Sequence, residues 1–551
     1  MKIVIGILNS KYIHASLAPW CLASGVNSFC RNKHQTKVLE STINSPVTPF
    51  AEEILKENAD VIALCCYIWN IEQTLKLCKI LKEKSSAKIV LGGPEVAYRS
   101  KVFLEEEKDI ADFVLSGEGE WNFPLLIDAL YENLPLTSVW GLTFYDENYL
   151  VSIPEKQIFE TPPSPYTPEF FENLKGRISY IETSRGCPFR CAFCLSGRCS
   201  PLRFFDIEKV KNNIISLANG KTKTIKFVDR TFNCNEKRAN EILQFIIDEY
   251  GKNIPKNICF HFEIAGDILK NSTMEILKSA PKGLFQLEIG MQSFNEDTLK
   301  KINRKTDTKK LIQNIKTLVS FNNMHIHIDL IAGLTGEDSE SFKNSFNIGF
   351  SLNAHMLQMG FLKLLYGADM RENREKYPCT FNDTPPYEVT STPWLSSYEI
   401  SCLKNTEDAL ERMYNSGRFL STLYFATEYT KMTPFDLLFF IGNRLSGEGM
   451  PLYEYALKLY DVLSELCPKD VLREKIVSDL ILSCSNPKIP DRLKVKDPNY
   501  KKIKARLKAS FGNVNFVILY SKNQILYVNS QKEKKDFRGR YKGNLLNIEN
   551  E

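Results

Sequence analysis

The chain has 551 residues, 43% apolar and 25% charged, with a formal net charge of +5. These are ordinary globular values, and at about 150 residues per domain they predict two to four domains with large cores. The charge excess is too small to indicate a nucleic-acid partner by itself, and fifteen cysteines without a secretion signal argue against a disulfide framework. No apolar run approaches the ~20 residues that span a bilayer. The expectation is a cytoplasmic protein with no membrane association.

Residues 1–135 alternate strand and helix. Strands are predicted at 2–8, 36–42, 59–67, 87–93 and 111–117. The third, ADVIALCCY, is apolar enough for burial on both faces, and IEQTLKLCKILKEK after it has helical spacing. Alternating β and α implies a parallel sheet with right-handed crossovers, here a flavodoxin-like doubly wound domain over 1–150. Ligands on such a sheet sit at the C-terminal strand ends. Three ends stand out: NSKYIHASLAP, opening with Asn9 and Ser10; GGPE, with Gly92, Gly93 and Glu95; and GEGE, with Gly117, Glu118 and Gly119. Residues 139–154 read as a small hairpin closing the domain. TPPSPYTPEFF, with four prolines, reads as a stiff extended linker within 151–175.

A second βα series follows, with strands at 177–184, 223–229, 258–267, 283–290, 325–333 and 356–365. Six parallel strands predict a partial (β/α)6 barrel over 176–370, with its chemistry at the C-terminal strand ends. Residues 371–551 read as a mainly helical domain ending in a two-stranded β-hairpin, NVNFVILY and QILYVNS. The basic stretches KKIKARLK and KEKKDFRGRYK read as solvated surface and a frayed end, with contact to RNA or another anionic substrate as the alternative.

One stretch carries ligand spacing. CPFRCAFC places Cys187, Cys191 and Cys194 within eight residues, directly after the first barrel strand. Thiolates are soft ligands suited to zinc or iron–sulfur sites. A structural zinc site would need a fourth ligand, and Cys199, the nearest candidate, gives an unusual zinc spacing. A complete [4Fe–4S] site normally has four cysteines. Three on one loop hold three irons and leave the fourth open as a substrate position.

The loop resembles the radical SAM superfamily, whose hallmark is C-x3-C-x2-C with an aromatic, here Phe193, before the last cysteine. The resemblance implies that the open iron chelates S-adenosylmethionine, and that one electron cleaves it to methionine and a 5′-deoxyadenosyl radical. It further implies contacts to S-adenosylmethionine from Glu263 in FEIAGD, Gln292 in EIGMQSF, Arg304 in KINRKTD and Asp329 in HIHIDLIAG. The physics agrees, since a ribose diol wants carboxylate or amide acceptors and a carboxylate wants a guanidinium. Family members often carry Gly-Gly-Glu after the second barrel strand. This chain has VDRTFN, with Asp229 in its place, and Thr335 where a proline is usual.

CCYIWNIEQTLKLCKILK, KIVLGGPE and DFVLSGEGEWNF resemble the cobalamin-binding domain of B12-dependent radical SAM proteins. The implied cobalamin contacts are the strand-end residues named above together with Tyr67, Trp69 and Asn70. No Asp-x-His-x-x-Gly sequence is present and His14 has a different context, so base-off cobalamin without a histidine ligand is implied, with a lower ligand near Tyr67–Asn70. The pairing of cofactors points to a C-methyltransferase, because methylcobalamin can give a methyl group to a carbon radical. A ring-rearranging or cyclising enzyme, a methylthiotransferase with three further cluster cysteines, and a non-catalytic RNA- or zinc-binding protein are the alternatives. The substrate is a small molecule or RNA, and the electron donor an external protein such as flavodoxin or ferredoxin.

Overall fold

The computed structural model describes residues 1–198, 202–445 and 449–548. Cys199 therefore lies outside the described residues. The chain divides into two compact units: residues 1–288 with 300–307 and 362–389, and residues 289–299 with 308–361 and 390–551.

The first unit opens with a seven-stranded sheet formed by β1 (Lys2–Asn9), β2 (Gln35–Thr42), β3 (Val61–Cys65), β4 (Lys88–Gly92), β5 (Phe113–Leu115), β6 (Leu142–Asp146) and β7 (Tyr149–Ser152). The order is β2-β1-β3-β4-β5-β6-β7; the first five are parallel and the last two antiparallel. The 139–154 hairpin thus closes the domain, as expected, by adding two antiparallel strands to the sheet edge. Between the strands run α1 (Ala18–Phe29), α2 (Val47–Lys56), α3 (Ile71–Lys84), α4 (Pro94–Ala97), α5 (Ser100–Glu106) and α6 (Gly119–Glu132). Alternate side chains of one strand enter different cores. Val4, Ile62 and Leu64 pack with Phe50 and Ile54 of α2, whereas Ile3, Ile5, Val61 and Ala63 pack with Val26 of α1 and Phe123 of α6. Two-sided burial explains the near-continuous apolar strands. Strand order reverses between β1 and β3, which opens a crevice at their C-terminal ends. Gly25 sets how closely α1 approaches α6, since a Cβ there would lie 2.3 Å from the Glu120 carbonyl oxygen.

The Pro-rich segment is not extended throughout. Pro168–Leu174 is a helix with proline at its first position and the Thr167 hydroxyl capping the Phe170 N–H. The first barrel strand is also split, into β8 (Ser179–Ile181) and β9 (Ser184–Arg185); β9 pairs antiparallel with β10 (Arg203–Phe204), bracketing the cysteine loop. β11 (Thr224–Phe227), β12 (Cys259–Ile264), β13 (Phe285–Gln292), β14 (His325–Ala332) and β15 (Met356–Phe361) complete a six-stranded parallel sheet with β8, in the order β15-β14-β13-β12-β11-β8. Phe262 anchors its interior, with ring centroids 4.4 Å from Phe227, 4.5 Å from Phe232 and 5.6 Å from Phe285.

In the second unit, the helix Ser397–Leu410 runs into a π-helical stretch, Glu411–Asn415. The extra residue aims Asn415 at the edge of β15. Its side chain accepts from the Leu357 N–H and donates to the Leu357 carbonyl, both at 2.9 Å, and so stands in for a neighbouring strand. Three antiparallel strands, Asn515–Leu519, Gln524–Val528 and Asn544–Asn547, replace the expected two. The basic tail is structural in part. Arg538 donates to the Ala354 carbonyl at 2.8 Å, and Arg540 pairs with the fully buried Asp479 at 2.8 Å. Asp479 also accepts from the N–H groups of Ser421 and Thr422 at the start of helix Leu420–Thr430. Among the described residues no helix is long and apolar enough to cross a membrane. Asp479→Ala would strand a buried guanidinium and a helix terminus together. The expected loss is about 3–5 kcal/mol, read from denaturant unfolding monitored by far-UV dichroism.

Candidate functional site

The cysteine loop is held by backbone at Ala192, between its second and third cysteines. The Ala192 N–H donates to the Ile302 carbonyl at 2.9 Å, and the Met370 N–H donates to the Ala192 carbonyl at 3.0 Å. A turn from the Cys194 N–H to the Cys191 carbonyl, 3.0 Å, brings two of the thiols round. Cys187 Sγ lies 3.5 Å from the Thr231 hydroxyl, and Arg304 points a guanidinium nitrogen at Cys191 Sγ, 3.7 Å away. Burial pushes the Cys191 thiol up, and Arg304 opposes that shift. A guanidinium against a buried thiol favours the thiolate form that binds metal. All fourteen cysteines among the described residues are free thiols.

A cavity of about 650 Å³ opens at the C-terminal ends of β1, β3, β4 and β5. One wall is Asn9, Ser10, Tyr67, Trp69, Gly92, Gly93, Gly117, Glu118 and Gly119. The facing wall is Tyr180, Glu182, Arg185, Val228 and Arg230, from the barrel side of the same unit. Tyr67 and Trp69 stack with centroids 4.3 Å apart. Gly93 has φ +112°, and a Cβ there would lie 2.4 Å from the Cys66 carbonyl oxygen, so no other residue fits that turn. Asn70 and Glu95, expected in the same site, do not line the cavity. Asn70 is fully buried; its amide donates to the carbonyls of Leu8 and Cys65 and its oxygen accepts the Tyr67 N–H, tying the ends of β1 and β3 together. Glu95 is buried against the Tyr387 hydroxyl. His14, set apart by its sequence context, does line the cavity, with its ring 2.6 Å from the Tyr180 hydroxyl.

Two ion-pair systems join the walls. Arg185, two residues before Cys187, reaches Glu118 and Glu120 at 2.5 Å and Glu182 at 2.8 Å. Arg203, on β10, reaches Glu118 at 2.7 Å. Burial works against the charge of Arg185, but Glu182, Glu120 and Glu118 outweigh it and hold the guanidinium well above its ordinary value. On the other side Arg177 pairs with Glu40 of β2 at 2.6 Å, both side chains nearly buried. Glu40 also accepts from Asn9 and Trp20, at 2.8 and 3.0 Å. Sequence reading named Glu118 but missed its partners and the Arg177–Glu40 pair; the signal for Arg185 and Glu120 was GEGE and TSRG at two strand ends.

The residues assigned to S-adenosylmethionine lie on or just beyond successive strands. Asp229, after β11, is buried and already accepts from the Thr183 N–H and hydroxyl and from the Ser184 hydroxyl, at 3.0, 2.7 and 2.5 Å. Burial lifts its carboxyl to about 6 against those bonds. It shapes the turn between β8 and β9. Glu263 is half-buried on β12, and Phe193 half-buried in the cysteine loop. Asp329 stands on β14 with His327 two residues back, 2.8 Å away. Gln292 ends β13 at φ +70°, where the Ser293 N–H bonds back to the Met291 carbonyl. Such a left-handed residue persists only where its surroundings impose it. Here they do. The Ser293 hydroxyl donates to the buried Glu337 at 2.5 Å, and the Ser345 hydroxyl donates to Glu337 while accepting from the Phe294 N–H.

Comparison with known families adds to this geometry. The model of the radical SAM superfamily matches residues 181–347, and that of the B12 binding domain matches residues 6–127. The chain is a B12-binding-domain radical SAM protein. A third model, described as a protein of unknown function (DUF4080), matches residues 375–536. The chain is 29% identical over 332 residues to the cobalamin-dependent radical SAM methyltransferase TokK of Streptomyces tokunonensis, covering 56% of this chain and 47% of TokK. It is 30% identical over 318 residues to the 2-(S-pantetheinyl)-carbapenam-3-carboxylate methyltransferase of Streptantibioticus cattleyicolor, covering 54% and 45%. The chain thus spans about half the length of these curated relatives. The solved structure of the cobalamin-dependent S-adenosylmethionine radical enzyme OxsB, with aqua-cobalamin and S-adenosylmethionine bound, shares the fold at TM-score 0.59 and 14% identity, over 93% of this chain and 80% of that one.

The cofactors of this B12-binding-domain radical SAM protein are a [4Fe–4S] cluster, S-adenosylmethionine and cobalamin. The residues present fit them: three soft thiols on one pinned loop, and a large cavity with an aromatic stack and a glycine rim at a sheet switch point. The thiols of the B12-binding domain are dispersed. Cys21 and Cys65 line the cavity, Cys66 and Cys78 lie in the core on the α2–α3 face, and Cys30 faces the Pro124 carbonyl.

Burial lifts the Glu337 carboxyl from 4.5 to about 7, against the bonds from Ser293 and Ser345. The folded chain therefore holds a proton there that the unfolded chain releases above its ordinary value. This contribution is fully present below about pH 4.5 and lost as pH rises through about 7, roughly 3 kcal/mol in all. Glu337→Gln should flatten unfolding free energy against pH between 5 and 8, measured by urea titration at each pH.

Proposed function

We propose that this protein is a cobalamin-dependent radical SAM methyltransferase that places a methyl group on an unactivated carbon. The observation that carries the reading is the shared cavity: its floor is the strand ends of the B12-binding domain and its facing wall is the strand that leads into the cysteine loop. When bound, the cluster with S-adenosylmethionine supplies a carbon radical for hydrogen abstraction, and cobalamin supplies the methyl group. The chain's own residues bind, orient and shield. Cys187, Cys191 and Cys194 hold the cluster, with Arg304 donating to the Cys191 sulfur. Asn9, Ser10, Tyr67, Trp69 and the glycines of β4 and β5 cradle cobalamin. Phe193, Glu263, Gln292, Arg304 and Asp329 are the proposed contacts of S-adenosylmethionine. Hydrogen abstraction needs no general base, so this reading assigns none. The two methyltransferases at 29 and 30% identity support methyl transfer as the outcome.

The test is anaerobic reconstitution with iron, sulfide, cobalamin and S-adenosylmethionine, followed by desalting and reduction. About four irons per chain, retained corrin and release of 5′-deoxyadenosine are expected. Cys191→Ala should remove iron and deoxyadenosine release; Trp69→Ala should lower corrin retention and leave iron unchanged. Deoxyadenosine without corrin would remove methylcobalamin from the mechanism. About eight irons would favour a methylthiotransferase, a reading the dispersed thiols of the B12-binding domain oppose.

A further inference from the structure

At the other end of the same sheet from the cavity, three metal-ligating side chains converge. Cys30 caps the C-terminus of α1, His34 immediately precedes β2, and Asp128 lies on the buried side of α6. A sulfur, an imidazole nitrogen and a carboxylate oxygen from these residues all lie within 4.8 Å of one another. α1 is twelve residues long, so its C-terminus stands about 18 Å from its cavity-lining start. The Cys30–His34 spacing, C-x3-H, closes a single short loop. That loop is already pinned to α6: the Arg31 N–H donates to both Asp128 oxygens at 3.1 and 3.2 Å, and the Asn32 amide donates to Glu132 at 2.8 Å. These bonds orient the carboxylate, as outer partners of metal ligands do.

The second observation concerns the histidine. His34 Nδ1 faces the Met1 amine at 3.3 Å, whereas Nε2 is buried with no hydrogen-bond partner. A buried imidazole nitrogen without a partner is costly unless something occupies it. Nitrogen, sulfur and oxygen together are a donor set for a borderline cation, and three protein ligands leave one position for water.

We propose that Cys30, His34 and Asp128 form a second metal site, for one zinc-class divalent cation, separate from the cysteine loop. Binding releases the Cys30 thiol proton to solvent and replaces the weak thiol contact to the Pro124 carbonyl, 3.6 Å, with a metal–thiolate bond. The ion staples the α1–β2 loop to α6. The site does not depend on the function proposed above.

The probe is Zn²⁺. The reconstituted full chain is incubated with zinc, desalted, and its iron and zinc counted together. One zinc per chain beside the iron is expected, with a thermal midpoint raised by zinc. Cys30→Ser and His34→Gln should each weaken zinc retention at least about tenfold and leave the iron count unchanged. A Cys191→Ala chain should keep this zinc, which separates the site from the cluster loop. Melts of each variant without zinc report whether it folds; in a folded Cys30→Ser chain the zinc-induced rise should vanish. No zinc on the unaltered chain, or equal zinc on the folded Cys30→Ser and His34→Gln chains, would overturn the proposal.

Discussion

Glu118 accepts from two guanidiniums that stand on either side of the cysteine loop. Arg185 is on β9, just before Cys187, and Arg203 is on β10, just after the loop returns. Glu118 itself ends the β5 turn and lines the cavity. One carboxylate thus fixes the distance between the cavity wall on the B12-binding domain and the strand pair that brackets the cysteine loop. The arrangement needs all its members. Glu118, Glu120 and Glu182 crowd together only because Arg185 sits among them; without it three acids would share a partly desolvated pocket. Side chains at roughly a quarter exposure are screened by water far less than surface pairs, so geometry rather than count decides their worth.

A second constraint works through backbone. The loop after β1 extends the barrel strand: the Ile178 N–H donates to the Ile13 carbonyl at 2.8 Å, and the Ala15 N–H donates to the Ile178 carbonyl at 3.2 Å. Arg177 donates to the carbonyl of Tyr12 at 2.9 Å and to that of His14 while it pairs with Glu40. The segment NSKYIHASLAP therefore does two jobs. Its first residues are cavity floor, and its middle is a strand edge. This is why His14, whose sequence context differs from the histidine motif of some cobalamin proteins, nevertheless arrives at the cavity.

How much of this was legible follows from the range of each interaction. The parallel strands of the first domain could be read because burial on both faces writes an apolar run, and the cysteine loop because its ligands are local. The split of the first barrel strand could not, since the cause is Asp229, 45 and 46 residues away, drawing in Ser184 and Thr183. Glu118 and Arg185 are 67 residues apart, and a Coulombic pair leaves no period in the sequence. The third strand of the small C-terminal sheet, NLLN, is too short to show alternation. The basic tail misled for the opposite reason: Arg540 looks like solvated charge, yet Asp479, itself capping a helix, takes it into the interior.

The Pro-rich segment completes the argument about rigidity. Four prolines suggested a spacer, and spacers allow domains to swing. Here the segment is fastened along its length. The Ser24 hydroxyl donates to the Ser164 carbonyl at 2.8 Å, the Tyr166 hydroxyl donates to the Tyr180 carbonyl at 2.9 Å, and Phe170 meets Trp20 edge to face at 5.6 Å. Trp20 in turn donates to Glu40, the partner of Arg177. The prolines lower the entropy of a connection that is then packed down, so the segment braces the cavity walls instead of letting them swing. Where bound cofactors carry the chemistry, positioning is what falls to the protein, and fixed walls supply it.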